Sequence, residues 1–154
     1  MNALRNAAFI CLTLQLTAVA CGNDDGGAIP EPNDNTGGIA NCSVQPTFTS
    51  IYTQRLSLNG CANASCHGGT NPSAMLSFDL GQAETYAQLL NVASTSDAPK
   101  IRVVAGDAAA SYLFEKLDNP NVSGLLGLMP PGSQLPQCEI DSIETWINGG
   151  AAND

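Results

Sequence analysis

Residues 61–67 read Cys-Ala-Asn-Ala-Ser-Cys-His, and the fold of this 154-residue chain is expected to form around them. The stretch holds two of the chain's six cysteines and its only histidine, which directly follows the second cysteine. A single histidine excludes sites built from several histidine ligands. The role of this stretch therefore depends on what two thiols and an adjacent imidazole can bind together.

Two nearby cysteines followed at once by a histidine form the arrangement that attaches haem c, commonly spaced C-x-x-C-H. Each thiol adds to a vinyl group of the haem to give a thioether, and the histidine binds the iron as its proximal ligand. Here four residues separate the cysteines. Side chains five positions apart on a helix are rotated by about 140°, so this loop must bulge for both sulfurs to face one haem edge. The motif predicts Cys61 and Cys66 as haem-attachment residues and His67 as the proximal ligand.

Two other interpretations of the same stretch stay open. Cys61 and Cys66 could form a small disulfide loop, with His67 an ordinary surface residue. They could also join a zinc site, although the chain has no second histidine, and Cys42 and Cys138 lack the paired spacing of a zinc knuckle. The haem interpretation is preferred because the only histidine of the chain lies directly after a cysteine.

A second iron ligand is expected well downstream, in a loop able to cover the other face of the haem. Residues 128–132 read Leu-Met-Pro-Pro-Gly, in which the prolines restrict the backbone and the glycine permits a tight loop. The leucines around this methionine, which offer apolar cover, are Leu125, Leu126 and Leu128. Met75 lies only eight residues after His67, too near to cross to the other face of the haem. Met1 belongs to the N-terminal segment, which is predicted below to be a signal peptide. Met129 is therefore the predicted distal ligand, although core filling is the commoner role of a methionine.

The first twenty residues predict a secretory signal peptide. One basic residue, Arg5, precedes a mostly apolar run that ends in Ala-Val-Ala. The run has about fourteen residues, fewer than the roughly twenty that a membrane-spanning helix needs. Cys21 follows directly, and residues 18–21 (Ala-Val-Ala-Cys) resemble the lipobox of bacterial lipoproteins, whose cysteine is lipidated. Ordinary secretion with an incidental Cys21 is the alternative.

A flexible tether is predicted after the lipidated cysteine. Residues 21–41 are rich in Gly, Asn, Asp and Pro, and their large apolar residues are Ile29 and Ile39. Such a segment buries too little apolar surface to offset the entropy lost on ordering. The predicted organisation is a signal peptide over 1–20, the lipidated cysteine and tether over 21–41, and one domain over 42–154.

The charge of the chain excludes one class of partner. It has 14 Asp+Glu against 5 Lys+Arg, which gives a formal net charge of −9. Nucleic-acid-binding proteins present basic surfaces to the phosphates, so nucleic acid is excluded. The acidic excess is consistent with docking to a basic partner protein and equally with solubility alone, and both interpretations stay open.

Periodicity predicts a mainly α domain with long loops. An amphipathic first helix is marked by Phe48, Ile51, Tyr52, Arg55 and Leu56. A weaker helix covers about 82–91, through Tyr86, Leu89 and Leu90. The last helix, ending at Gly149-Gly150, is marked by Ile140, Ile143, Trp146 and Ile147, with Trp146 expected to serve packing.

One further helix is predicted between these. Asp107 is expected to cap it, and it runs to about Leu117, burying Leu113 and either Ala109 or Ala110. Residues 101–104 look briefly extended, but no alternating set of strands exists that would build a sheet.

From about Thr47 to Asn153 the chain resembles small monohaem c-type cytochromes, in particular the cytochrome c-like domains of bacterial lipoproteins with C-x-x-x-x-C-H spacing. The matching stretches, in the order of the family, are 61–69, 102–107 with 111–113, 129–132 and 143–151. The wide cysteine spacing and the additional pair Cys42 and Cys138 depart from the usual pattern.

The resemblance implies one covalently attached haem c and an electron carrier with His/Met ligation rather than an enzyme. It implies a redox partner protein and, with Cys21, a lipid anchor on a bacterial membrane, facing the periplasm or the cell surface. In that family the first and last helices pack together, which implies a disulfide between Cys42 and Cys138. A haem-free, disulfide-stapled surface binding domain and a haem enzyme or sensor with an open sixth position remain the alternatives.

Overall fold

The structure, a computed structural model, describes residues 42–58, 60–122 and 127–154. The predicted signal peptide (1–20), the lipidated Cys21 and the tether (21–41) lie outside these residues, as do Leu125 and Leu126. The prediction of a mainly α class is confirmed for the described residues. Their elements are α1 (Phe48–Ile51), a π-helical turn that continues it (Tyr52–Leu56), a 3-10 turn (Ser73–Met75), α2 (Gln82–Leu89), α3 (Tyr112–Asp118) and α4 (Gln137–Asn148).

Extended backbone in the described part of the chain pairs as isolated bridges rather than as named strands. Residues 101–104, predicted to be briefly extended, take part in such bridges. The bridges pair Leu90 with Val103, Ala93 with Ile101, Ile101 with Ser111, and Val104 with Asp107. This loop is thereby attached both to the end of α2 and to the start of α3.

Helix α1 begins at a threonine cap. Thr47 has extended backbone, and its hydroxyl accepts a hydrogen bond from the Ser50 N–H at 3.2 Å. Phe48 and Ile51 point into the core and are fully buried. The predicted amphipathic first helix is confirmed, and its π-helical continuation leads toward the 61–67 loop.

Helix α4 supplies the most continuous apolar face of the described residues. Ile140, Ile143 and Ile147 are all buried, as their spacing predicts. The helix ends at Asn148 with Gly149 as its cap, and the following Gly150 has a φ of +104°, which favours glycine. At 12 residues α4 is the longest helix described, and no described helix is long and apolar enough to cross a membrane.

Trp146 joins the last helix to the first. Its ring stacks on that of Phe48 at 5.3 Å between centroids, and its indole N–H donates to the Ala152 carbonyl at 2.8 Å. The packing role predicted for this tryptophan agrees with both contacts.

A disulfide links Cys42 to Cys138, with 5.8 Å between their Cα atoms. The predicted pairing is therefore confirmed. It links the segment before α1 to the first turn of α4. The contact between Phe48 and Trp146 joins the same two helices.

Helix α3 begins later than predicted. The prediction placed its cap at Asp107, but the helix starts at Tyr112, and Ala109 and Ala110 are exposed. Asp107 instead closes a separate turn, where its carboxylate accepts from the Ala110 N–H at 3.0 Å. The buried Ser111 hydroxyl donates to the Asp107 carbonyl at 2.8 Å, which keeps this turn apart from the helix. The prediction was wrong because a turn closed by these side-chain bonds resembles a capped first helical turn in sequence.

Candidate functional site

An apolar cavity lies where the four helices meet the loops. Each helical segment contributes a buried side chain to its wall: Leu56 after α1, Leu89 in α2, Leu117 in α3 and Ile143 in α4. The cavity has a volume of about 170 Å³ and opens to the solvent at its mouth. Its lining is mostly apolar with a few polar groups, which is typical of small-molecule sites.

All four residues predicted to hold the cofactor line this cavity. They are Cys61, Cys66, His67 and Met129. They come from two loops that are remote in sequence, one after α1 and one between α3 and α4. The structure thus brings together every candidate cofactor ligand that the sequence singled out.

The loop from Cys61 to His67 bulges outward and closes on itself. The His67 N–H donates to the Cys61 carbonyl at 3.0 Å, and the Cys66 N–H donates to the Asn63 carbonyl at 2.9 Å. The Asn63 side-chain oxygen accepts from the Ser65 N–H and hydroxyl, both at 2.9 Å. These bonds accommodate the four intervening residues while both cysteines still line the cavity.

Gly68 allows this closure and was not singled out in the sequence. A Cβ placed on Gly68 would lie 2.0 Å from the Ala62 carbonyl oxygen, a backbone atom that cannot move aside alone. Only glycine fits at this close approach of two backbone segments. The sequence offered one signal for Gly68, which is that this glycine directly follows the histidine of the motif.

The imidazole of His67 is held by its Nδ1 atom. Nδ1 lies 3.1 Å from the Leu76 carbonyl oxygen, and the ring lies 5.0 Å from that of Phe78. Since a carbonyl oxygen only accepts, Nδ1 carries the proton and the lone pair is on Nε2. Burial lowers the pKa of His67, which keeps the imidazole neutral at pH 7. A neutral ring with Nε2 available is the form in which histidine binds a metal.

The two cysteines of the loop differ in their present state. Cys61 is a free thiol, whereas Cys66 is disulfide-bonded. Burial raises the pKa of the Cys61 thiol, and the nearby Arg55 guanidinium opposes that effect. Because Cys61 is free, the alternative in which Cys61 and Cys66 bond to each other does not occur in this structure. In the described residues no three His, Cys, Asp or Glu side chains are grouped closely enough to hold a metal ion.

Met129 and Met75 are placed differently. Met129 is half-buried at the cavity wall, and its N–H donates to the Lys116 carbonyl at 2.7 Å. The Met75 side chain is 74% exposed and does not line this cavity. Of the two methionines in the domain, only Met129 is placed to reach a ligand bound there.

Sequence reasoning missed a set of basic side chains at the same cavity. Arg55, Arg102 and Lys116 line it, and none of its lining residues is an Asp or a Glu. The available signal was their rarity, since the chain has only five lysines and arginines.

No family model matches the chain, and no curated protein or solved structure is significantly similar to it.

Proposed function

We propose that this protein is a c-type cytochrome, which carries single electrons on one covalently attached haem c. The observation that carries the proposal is that Cys61, Cys66, His67 and Met129, selected from distant parts of the sequence, line one apolar cavity. A haem is a large apolar plate, and burying it would supply core that a small domain otherwise lacks. The resemblance to cytochrome c-like domains of bacterial lipoproteins supports the same function.

His67 is the proposed proximal ligand. The hydrogen bond from Nδ1 to the Leu76 carbonyl fixes the ring orientation and leaves Nε2 to bind iron. Such a bond also makes the ligating nitrogen more basic. The contact of the ring with Phe78 further limits its rotation.

Cys61 and Cys66 are the proposed attachment residues. At each site a carbon–sulfur bond would form at one carbon of a vinyl group, and the thiol hydrogen would go to the other carbon. Both sulfurs must be thiols beforehand, so a dithiol reductant has to open the disulfide at Cys66 first. The free Cys61 thiol is ready for this addition.

Met129 is the proposed distal ligand. Its thioether sulfur favours the ferrous state, so His/Met ligation gives a higher potential than two nitrogen ligands. The bound haem supplies the one-electron chemistry. If His67 and Met129 both bound the iron, no position on it would be left for a substrate, which favours an electron carrier over a haem enzyme or sensor.

We also propose that the chain is exported and anchored through a lipid on Cys21 to a bacterial membrane, facing the periplasm or the cell surface. The partner would be a redox protein that meets the domain at the end of the tether (21–41). Metabolic labelling with a fatty acid tests the anchor. Label should enter the wild type and be absent from Cys21→Ser, and label retained in that variant would contradict the assignment.

The haem proposal is tested by producing the full chain with and without the cytochrome c maturation machinery. With the machinery, we expect a Soret band and a haem that stays with the protein after acid–acetone extraction. The double variant Cys61→Ala/Cys66→Ala should lose the covalent haem, whereas His67 and the rest of the cavity are unchanged in it. Absence of a Soret band from the matured wild type would contradict the proposal and favour a haem-free, disulfide-stapled binding domain.

A further inference from the structure

The carbonyl that orients His67 belongs to a peptide group that is hydrogen-bonded on both sides. Its oxygen, the carbonyl oxygen of Leu76, lies 3.1 Å from Nδ1 of His67. The N–H of the same peptide group is that of Ser77, and it donates to the side-chain oxygen Oε1 of Gln88 at 3.0 Å. A chain of hydrogen bonds therefore runs from the amide of Gln88 through one peptide group to the imidazole.

Helix α2 and its neighbours fix the position of Gln88. This residue is half-buried in the last turn of α2. Its backbone carbonyl accepts from Nη1 of Arg102 at 2.8 Å, and its side-chain N–H donates to the carbonyl of Glu84, one turn earlier, at 3.4 Å. The amide oxygen is then left to face Ser77, since a backbone N–H requires an acceptor.

The turn that precedes Leu76 is also held in place. Ala74 and Met75 have φ values of +54° and +51°, a conformation that residues other than glycine rarely adopt. Such backbone persists where the surrounding structure fixes it. Here Nη2 of Arg102 donates to the Ala74 carbonyl at 2.9 Å and to the Met75 carbonyl at 3.4 Å, and the Thr95 hydroxyl also donates to the Ala74 carbonyl. The Leu76 carbonyl is therefore presented to the imidazole in one orientation.

We propose that Gln88 is a positioning residue for His67, acting through the peptide group between Leu76 and Ser77. An acceptor on the N–H of a peptide group polarises it and makes its carbonyl oxygen a stronger acceptor. A stronger hydrogen bond at Nδ1 fixes the proton there and makes Nε2 more basic. The inference rests on the proposed function, under which Nε2 binds haem iron. A more basic nitrogen ligand stabilises ferric iron, so Gln88 lowers the midpoint potential.

The first measurement is made on the haem-free full chain by nitrogen NMR of the imidazole, at a pH where the ring is neutral. His67 is the only histidine of the chain, so its two ring nitrogens can be assigned without ambiguity. In the wild type we expect the Nδ1–H tautomer to exceed the Nε2–H tautomer by about tenfold or more. Gln88→Leu should lower that ratio by about threefold or more, because leucine accepts no hydrogen bond from the Ser77 N–H.

The second measurement is the midpoint potential of the matured protein. Gln88→Leu should raise the potential. Gln88→Glu keeps an oxygen acceptor, and a carboxylate is a stronger one, so it should keep the wild-type tautomer and lower the potential. Gln82 supplies the matched controls, because it lies in the first turn of the same helix and its amide donates to Thr49 and Asn153. Gln82→Leu should keep both wild-type values, and Gln82→Glu, which adds the same charge, should lower the potential less than Gln88→Glu does.

The outcomes separate this proposal from the proposed function. A tautomer ratio equal to that of the wild type in Gln88→Leu, shown to be folded by far-UV circular dichroism, would overturn the role of Gln88. If Gln88→Leu does not fold, equal shifts of the potential in Gln88→Glu and Gln82→Glu would overturn it instead. A wild type in which the Nε2–H tautomer predominates would also overturn it, and that measurement needs no variant. Absence of haem from the matured chain would overturn the proposed function, whereas the tautomer ratios of the haem-free chain would still decide whether Gln88 positions the imidazole.

Discussion

One hydrogen bond decides which nitrogen of His67 is available to a metal. The Leu76 carbonyl lies 3.1 Å from Nδ1, so the proton stays there and Nε2 keeps its lone pair. The position of His67 after Cys66 is visible in the sequence. The identity of the carbonyl that orients its ring is not, because Leu76 reaches it only through the path of the following loop.

Met129→Ala tests the proposed distal ligand. With the haem attached, this variant should lose the reduced spectrum typical of His/Met ligation and show a lower midpoint potential, since the thioether stabilises ferrous iron. Visible spectroscopy and a potentiometric titration measure both effects. Met75→Ala is the control and should leave both unchanged, because that side chain is 74% exposed and away from the cavity. An unchanged potential in Met129→Ala would contradict the assignment.

Gly68→Ala tests the close approach that closes the 61–67 loop. Its Cβ would lie 2.0 Å from the Ala62 carbonyl oxygen, so the backbone must shift. We expect a loss of about 1–3 kcal/mol in the free energy of unfolding, the usual range for overpacking. Gly60→Ala is the control, because nothing lies within 4 Å of its added Cβ, and it should change stability by about 0.5 kcal/mol or less. Chemical denaturation compares the two, and equal stabilities would refute the close approach.

The helices show which elements can be predicted from local sequence patterns. Helices α1 and α4 were predictable because their apolar residues recur at helical spacing and pack on one core, as Phe48 and Trp146 do. The start of α3 was not predictable from Asp107, because a carboxylate followed by small residues caps either a helix or a tight turn. The buried Ser111 decides between them by bonding back to Asp107, which depends on its tertiary surroundings.

Thr47→Ala tests the cap of α1. The variant removes the hydroxyl that accepts from the Ser50 N–H, and this should cost about 0.5–2 kcal/mol of stability. Thr53→Ala is the matched control, since the Thr53 hydroxyl is exposed and bonds only to carbonyls of its own helix. Thermal unfolding of both variants in the same haem state measures the difference. A Thr53→Ala loss as large as that of Thr47→Ala would argue against the cap.

In the whole molecule, three kinds of interaction hold the cavity walls together. The Cys42–Cys138 disulfide joins positions 96 residues apart, and the Phe48–Trp146 stack joins the same two helices. Loop 101–104 is attached to α2 and α3 by the isolated bridges. The cavity is thus built from segments of the whole domain, although α1 and α3 are short.

Cys42→Ala/Cys138→Ala tests the covalent tie. A crosslink that closes a loop of this length restricts the unfolded chain, so its removal should lower the free energy of unfolding by about 2–5 kcal/mol. Urea denaturation measures the change. In a Cys66→Ala background, which removes the disulfide at the third disulfide-bonded cysteine of the described residues, reductant should destabilise the parent chain but not the variant without Cys42 and Cys138. Equal stability of the two chains would contradict the prediction.

The helical class and the candidate ligands could be predicted from spacing and residue type, which are local properties of the chain. The disulfide pairing was predicted through the family resemblance. The packing of the helices placed Cys61, His67 and Met129 at one cavity and gathered basic side chains around it. The burial of Arg102 without a described counter-charge depends on carbonyls from two distant segments, Gln88 and residues 74–75. No local pattern encodes such a meeting of segments, because it arises only when the helices pack.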